Sequence, residues 1–332
     1  MKLFVYEHIT SGALAGQELP HSLAQEGDLM LTAILQDLAS QPQLELVILR
    51  DSRLSEISSL PLDSSCTFLW VQNSEHFTLQ WDQVLSQADM AFVIAPETDN
   101  QLEKIQQNIL DSGTSYLGSS QEVTQLCANK FRCFEHLSGY EISTAKTQMS
   151  TQWQAGELDN NTKIVIKPID GAGCLDTLFF ESEDKAQNYL QNSSDLDLSS
   201  LIVQPYIEGT AASLSLFISD DTVMILSINR QLISQQQSQL IFGGSEVNAI
   251  SAKELSQIEA QEFVEGVYKA LPDLWGFVGL DFVLSPSGPI LIEINPRLTT
   301  SYIGLKSVLN FNPTDLLIRH MEEKFHLRHS AS

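Results

Sequence analysis

The chain has 332 residues, of which 43% are hydrophobic and 18% are charged, so it is long enough for two or three packed units with ordinary cores. Its 42 acidic residues outnumber its 18 lysines and arginines, and the formal net charge of −24 argues against nucleic acid or an anionic membrane surface as a partner. No apolar run reaches the roughly 18 residues that a membrane helix needs, and the N-terminus MKLFVYEHIT lacks the apolar core and cleavage site of a signal peptide.

Short apolar strands and helical stretches alternate over the first 118 residues. KLFVYE, ELVILR, TFLWVQ and DMAFVIAPE are typical of buried strands, and SLAQEGDLMLTAILQDLA carries apolar residues at helical spacing. This alternation predicts an α/β fold with a parallel, doubly wound sheet, in which ligands bind at the carboxyl ends of the strands. The loop from His8 to Gly16 is therefore a candidate substrate edge, with a tight glycine-containing turn as the alternative.

The pattern changes near residue 119. SSQEVTQLCANKFRCFEHLSG predicts two short helices broken near Asn129, followed by the strand TKIVIKP, the glycine loop DGAGC and a helix around DKAQNYLQ. LIVQPYIEG, SLSLFIS and VMILSINRQ indicate strands, QLISQQQSQLIFGG a polar loop, and AKELSQIEAQEFVEGVYKAL an amphipathic helix. Within the polar loop, Gln235 to Gln239 is a candidate lid, with a disordered loop as the alternative. A hairpin over GLDFVLSPSGPILIEINPR and a helix over PTDLLIRHMEEKF close the chain.

The closing hairpin places two acids on one face of a sheet. We expect Leu284 to lie opposite Ile290 across the Ser-Pro-Ser-Gly-Pro turn, and the same register pairs Asp281 with Glu293. Side-chain alternation then puts Asn295 on the Glu293 face. Facing carboxylates destabilise a sheet unless a cation lies between them, and magnesium accepts these oxygen ligands. A solvent-facing acidic face of an ordinary hairpin is the alternative.

Basic residues are scarce in this chain, so those at strand ends are informative. Lys167 ends the strand IVIK and either reaches solvent or meets a phosphate. The glycines at 171 and 173 let backbone amides approach an anion, with a plain turn as the alternative. Arg230 lies near the end of another apolar strand, where a second base is costly unless it meets an anion. Arg297 points the same way as Asn295.

A hinge follows the strand LIVQP. Pro205 cannot donate to a strand ladder, so it marks a strand end at which backbone groups of Tyr206 and Ile207 are free to pair with a base edge. A strand with a bent exit is the alternative. Neither a Walker loop nor a GxGxxG dinucleotide motif is present.

Taken in order, these features resemble the ATP-grasp superfamily over roughly residues 119–319. The matching stretches are IKP, QPYIEG, and LDF with EINPR, together with a lysine at a helix start. The resemblance implies an N-terminal doubly wound, Rossmann-like pre-ATP-grasp domain over 1–118. It further implies a two-lobed ATP-grasp domain, an α+β nucleotide fold, with a small lobe over 119–200 and a large lobe over 201–332 that carries the metal site.

The resemblance also implies roles for individual residues. It implies that ATP is bound by Lys130, Lys167, Gly171, Ala172, Gly173, Gln204, Pro205, Tyr206, Ile207 and Glu208. It implies Mg²⁺, with Mn²⁺ as an alternative, on Asp281, Glu293 and Asn295, and Arg230 and Arg297 as catalytic residues that grip the substrate carboxylate or an acyl phosphate. Many members bind ribose with an acid two residues after the hinge glycine. Ala211 stands there in this chain, and Glu208 is the candidate substitute.

The implied activity is an ATP- and Mg²⁺-dependent carboxylate–amine ligase that forms an amide through an acyl phosphate, using glutamate or another amino acid and an amine. The stretches YEHITSGALAG and SINRQ resemble the tyramine–glutamate ligase group of methanofuran-type, one-carbon cofactor biosynthesis. A kinase on the same fold and a non-catalytic nucleotide-binding module are the alternatives. Four cysteines without metal spacing indicate reduced thiols in a cytoplasmic protein, and a homodimer is one alternative for the oligomeric state.

Overall fold

The computed structural model describes the whole chain except residues 58, 61–64, 157–161, 172, 194–195, 221 and 322–332. In that described part, none of the helices combines the length and the apolar character needed to span a bilayer.

The N-terminal domain contains a parallel sheet of five strands among the described residues. These are β1 (Lys2–Glu7), β2 (Glu45–Asp51), β3 (Cys66–Val71), β4 (Met90–Ile94) and β5 (Ser115–Leu117), in the order β3-β2-β1-β4-β5. Leu3 and Val5 pack towards α1 (His21–Leu38) on one face, and Phe4 and Tyr6 pack towards α2 (Ser74–Leu85) and α3 (Gln101–Asp111) on the other. Helices on both faces confirm the predicted doubly wound α/β fold.

The loop after β1 is held by its own side chains. The buried Glu7 carboxylate accepts hydrogen bonds from the N–H of Ile9, at 3.2 Å, and from the N–H and hydroxyl of Thr10, at 2.7 and 2.6 Å. Gly12 adopts φ +91°, and a Cβ there would lie 2.5 Å from Val71. The glycine is therefore required by the turn, as the tight-turn alternative states, and a substrate edge here stays a prediction.

The remainder of the chain forms one antiparallel sheet in the order β14-β13-β10-β11-β12-β8-β7-β9-β6 within the described ranges. Its strands are β6 (Gln148–Met149), β7 (Ile164–Pro168), β8 (Leu178–Phe180), β9 (Leu201–Pro205), β10 (Thr210–Ser219), β11 (Thr222–Gln236), β12 (Gln239–Glu246), β13 (Gly276–Ser285) and β14 (Gly288–Asn295). The accompanying helices are α4 (Gln121–Ala128), α5 (Lys130–Leu137), α6 (Glu183–Asn192), α7 (Gln257–Ala270), α8 (Tyr302–Val308) and a further one over 314–321. The α4–α5 break falls at Asn129, as predicted.

The predicted polar loop QLISQQQSQLIFGG is instead the hairpin of β11 and β12, so both the loop and the disordered alternative are wrong. The hairpin reaches the small lobe, because the N–H of Leu240 donates to the carbonyl of Thr177 at 2.9 Å and the N–H of Phe179 donates to that of Ser238 at 2.6 Å. Its tip is exposed on both faces, so its sequence lacks the apolar alternation that identifies a strand. A lid role for Gln235 to Gln239 stays a prediction.

The register of the closing hairpin is confirmed at the acids and wrong near the turn. Asp281 pairs with Glu293 as predicted, whereas Leu284 pairs with Pro289 and not with Ile290. The ladder shifts by one residue just after Asp281, and this bulge absorbs the difference between the two registers.

A shared core joins the N-terminal domain to the large lobe. Phe277 of β13 packs edge-on against both Phe92 of β4 and Tyr302 of α8, with ring centroids 6.2 and 5.1 Å apart. The Tyr302 hydroxyl also donates to Asp37 Oδ2 of α1 at 2.8 Å. Burial raises the pKa of Asp37, and the Tyr302 hydrogen bond partly offsets that rise. The hydrogen bond therefore satisfies a carboxylate inside the interface between the two units.

We predict that Tyr302→Phe lowers the free energy of unfolding by about 1–3 kcal/mol, because it leaves a buried carboxylate without its hydroxyl donor while keeping the ring. Urea unfolding followed by circular dichroism measures this change. Tyr140→Phe, on a ring that is 40% exposed, is the matched control. Equal stability of the two variants would show that the Asp37 contact contributes nothing.

Candidate functional site

Asp281 of β13 and Glu293 of β14 lie opposite each other on neighbouring strands, and we call them the carboxylate pair. Asn295 lies on the same face, with its Nδ2 donating to Asp281 Oδ2 at 3.3 Å. Burial, followed by the charge of Glu293, raises the pKa of Asp281 to about 7. Burial of Asp281 and its repulsion by Glu293 are thus the two effects that disfavour charge on this carboxyl group.

Lys130 joins the carboxylate pair to the glycine loop. Asn129 caps α5 with its side chain, and Lys130 is the first residue of that helix. The Lys130 N–H donates to the carbonyl of Ile169 at 2.9 Å. Its buried Nζ lies 3.0 Å from Glu293 Oε1 and also donates to the carbonyl of Gly171. The helix break therefore places the ammonium group of Lys130 beside Glu293.

Lys167 is a second buried cation beside the pair. It lies near the end of β7 and is 7% exposed, so it does not reach solvent. Burial and then the charge of Lys130 lower its pKa to about 8, while Glu293 and Asp281 act in the opposite direction. The structure thus brings together both predicted lysines and both predicted acids.

The glycine loop begins where β7 ends and is docked on the N-terminal domain. The N–H of Asp99 donates to Asp170 Oδ2 at 2.9 Å. Gly173 adopts φ +62°, and a Cβ there would meet nothing within 4 Å, so its conformation and not its packing favours glycine. Gly171 takes part through its carbonyl, whereas the predicted Ala172 lies outside the described residues.

An open cavity lies beside Lys130. Its walls are α4, α5, residues 144–147, Gln204 and residues 291–294 of β14. The buried Gln204 side chain donates to Thr147 Oγ1 at 2.7 Å, which fixes it in the cavity wall. Within the described residues, Gln204 is the one member of the predicted hinge that lines this cavity.

The rest of the predicted hinge is partly engaged elsewhere. The N–H of Tyr206 donates to the carbonyl of Lys163 at 2.8 Å, so the prediction that this group is free for a base edge is wrong. Glu208 forms an exposed ion pair with Lys163 Nζ at 2.6 Å. Pro205 ends β9 as expected, and Ile207 lies two residues beyond it. Adenine binding by this segment stays a prediction.

Arg297 is held by a residue that sequence reasoning missed. Its Nε and Nη2 donate to Glu97 Oε1 and Oε2 at 2.9 and 2.8 Å, and its Nη1 donates to the carbonyl of Leu298 at 3.2 Å. Both side chains of this ion pair are largely buried. Glu97 follows β4 at the carboxyl end of a parallel strand, and that position was the available signal.

Arg230 does not reach the carboxylate pair. It pairs with Ala212 across β10 and forms an ion pair with Glu254 at 2.6 Å. Its neighbour Gln231, which sequence reasoning also missed, donates instead from Nε2 to Asp281 Oδ1 at 2.9 Å. Because neighbouring side chains on a strand point to opposite faces, Gln231 and not Arg230 shares the face of the acids.

The donor set fits a hard divalent cation completed by other oxygens. Asp281, Glu293 and Asn295 offer carboxylate and amide oxygens on adjacent strands, the chemistry that Mg²⁺ accepts. In the described ranges, this face included, no group of three or more His, Cys, Asp or Glu side chains could hold a metal ion, so the protein itself supplies at most two acids and one amide here. Phosphate oxygens and water are the usual complement to such a small protein set.

Comparison with known families and proteins agrees with this geometry. The ATP-grasp domain profile matches residues 127–301, more than half of the chain, and the pre ATP-grasp 3 domain profile matches residues 44–123. Tyramine–L-glutamate ligase of Methanocaldococcus jannaschii is 29% identical over 245 residues, which cover 71% of this chain and 67% of that protein. The enzyme of the same name from Methanocaldococcus fervens is 30% identical over 219 residues, covering 66% and 62% respectively.

Solved structures support the fold. A protein from Archaeoglobus fulgidus described as an ATP-grasp superfamily member superposes with a TM-score of 0.70 at 24% identity, covering 96% of this chain and 88% of that one. D-alanine–D-alanine ligase from Bacillus anthracis superposes with a TM-score of 0.64 at 15% identity, covering 100% and 99%. At these identities the likeness establishes architecture alone.

We predict that Glu97→Gln lowers the free energy of unfolding by about 3–5 kcal/mol, because it removes the carboxylate that pairs directly with the buried Arg297 guanidinium. Guanidinium-chloride unfolding measures the loss. Glu254→Gln is the matched control, since it removes the acid from the more exposed Arg230 ion pair and should change stability little. A loss of stability no larger than that of the control would refute the stabilising role assigned to Glu97.

Proposed function

This chain belongs to the ATP-grasp family and is an ATP-dependent ligase, and we propose that it joins the carboxyl group of an amino acid to an amine through an acyl phosphate. The observation that supports this most is the convergence of Lys130 and Lys167 on the carboxylate pair. Two buried cations beside two acids suit a nucleotide's terminal phosphates together with a divalent cation.

We propose that the two lysines bind the phosphates and that Asp281, Glu293 and Asn295 hold Mg²⁺. When bound, Mg²⁺ neutralises negative charge on the nucleotide phosphates. Lys130 lies 3.0 Å from Glu293, so phosphate oxygens would compete with that acid for the ammonium group. The glycine loop lies beside Lys130 through the carbonyl of Gly171, and we propose that its backbone amides cover an anion.

Arg297 is the candidate residue for binding the substrate carboxylate or the acyl phosphate. Glu97 and the Leu298 carbonyl occupy three of its five N–H donors, so its position is fixed and two donors remain for a carboxylate or phosphate oxygen. We assign Arg230 no such contact, because Glu254 neutralises it and strand alternation turns it away from the acids.

The relatives suggest the substrates to test first. Their name states that they join tyramine to L-glutamate, and we propose glutamate as the carboxylate and an aromatic amine such as tyramine as the nucleophile. The test is ADP release by the purified chain with ATP, Mg²⁺, glutamate and a panel of amines. No stimulation by any pair would reject the ligase proposal. Mass spectrometry separates an amide product from the phosphorylated product of a kinase.

We predict that Glu293→Gln keeps nucleotide binding measurable and lowers turnover about 100-fold or more, because losing roughly 3 kcal/mol of charge stabilisation has that effect on rate. Calorimetry with ADP and steady-state ADP release measure the two quantities. Glu262→Gln, on an exposed position of α7, is the control. Full turnover in the Glu293 variant would refute the assigned cation site.

We predict that ADP affinity falls as pH rises through about 8, where Lys167 loses its charge. A lysine with a lowered pKa is charged below that value and neutral above it, so its attraction for phosphate disappears on the alkaline side. Calorimetry from pH 7 to 9.5 measures the slope. Lys167→Arg, whose guanidinium stays charged throughout, should flatten the profile, and an unchanged slope would exclude Lys167 as its source.

A further inference from the structure

We propose that Gln231 is a positioning residue that fixes the Asp281 carboxylate for the divalent cation. The inference rests on the proposed function, and it adds a residue of β11 to a site otherwise built from the β13–β14 hairpin.

Two amide groups hold the Asp281 side chain from different strands. Gln231 Nε2 donates to Oδ1 at 2.9 Å, and Asn295 Nδ2 donates to Oδ2 at 3.3 Å. The Gln231 contact is the shorter, and each oxygen receives its own donor. Rotation about the last side-chain bond of Asp281 would break both hydrogen bonds, so the carboxylate plane is defined before any cation arrives.

Strand alternation explains how Gln231 comes to this position. Side chains two residues apart on a strand share a face, so Gln231 lies on the same face of β11 as Asn229. Asn229 pairs with Ser213, which is itself the partner of Asp281 across β10 and β13. Gln231 lies two residues further along β11 on this polar face, and its side chain reaches past β10 to Asp281 of β13.

The chemistry of an amide suits this role. A lysine or arginine at 231 would neutralise Asp281 and compete with a cation for it. The neutral Gln231 donor restrains one oxygen and leaves the negative charge available. Residues that orient metal ligands in this way commonly change metal affinity by about 10–100-fold when they are removed.

The same strand connects the cation site to the glycine loop. β11 continues from Gln231 into the hairpin, whose far strand hydrogen-bonds to Thr177, three residues after Cys174 at the end of the loop. Gln231 therefore ties Asp281 to the element that contacts the small lobe. A nucleotide held between the lobes would meet a carboxylate whose orientation depends on that hairpin.

The test compares Gln231→Ala and Gln231→Met with wild type and with Ser234→Ala, at an exposed position further along β11. Calorimetry of ADP binding over a series of Mg²⁺ concentrations gives the Mg²⁺ needed for half-maximal affinity. We expect both Gln231 variants to need about 10-fold more Mg²⁺, to approach wild-type affinity at saturating Mg²⁺, and Ser234→Ala to match wild type.

Methionine keeps the length and packing of glutamine without its donor, so it separates orientation from packing. A wild-type Mg²⁺ requirement in Gln231→Met overturns the proposal, whatever Gln231→Ala does. ADP binding that is independent of Mg²⁺ in the wild type overturns it as well. The ligase proposal is tested separately by ADP release with glutamate and amines, and its failure would leave the Mg²⁺ titration of nucleotide binding interpretable.

Discussion

The repulsion between Asp281 and Glu293 is the constraint around which the site is organised. Two acids face each other on adjacent strands, and each neighbour reduces the cost in a different way. Lys130 supplies an opposite charge, whereas Asn295 and Gln231 supply neutral donors. An ordinary hairpin would place aliphatic residues here. The acids suit the site proposed above, in which a cation and phosphates would complete the arrangement. The helix break at Asn129, the glycine loop and β11 all place residues near them.

The N-terminal domain makes direct contacts with Arg297 and with the glycine loop. The segment after β4 contacts both lobes, since Glu97 binds Arg297 of the large lobe and Asp99 donates to Asp170 of the glycine loop. The shared aromatic core fixes the domain against β13 from the other side. Any shift of β4 would therefore be transmitted to an arginine and to the glycine loop together, so the first third of the chain sets the geometry of the last.

Sequence reasoning succeeded where a short-range period decides the outcome. Strand–helix alternation gave the doubly wound sheet, and two-residue alternation gave the facing acids 281 and 293. It failed where a contact joins residues that are far apart in the sequence and close together in the folded chain. Glu97 and Arg297 are 200 positions apart, and only the packed domains bring them together. The tip of the β11–β12 hairpin is exposed on both sides and carries no apolar stripe. Gln231 reaches Asp281 across the intervening strand β10, and no sequence spacing indicates that contact. Its neighbour Arg230 looked more suitable because its charge is visible in the sequence, whereas its direction is not.

The contact between β12 and β8 has a mechanical consequence. It makes the strands of both lobes members of a single hydrogen-bonded ladder, so the lobes cannot part as two independent bodies without breaking backbone pairs at Thr177 and Phe179. Any separation of the lobes that keeps these pairs has to bend or twist the two-stranded ribbon of β11 and β12. A stiffer ribbon would resist such a separation even though the substitutions that stiffened it lay away from the carboxylate pair.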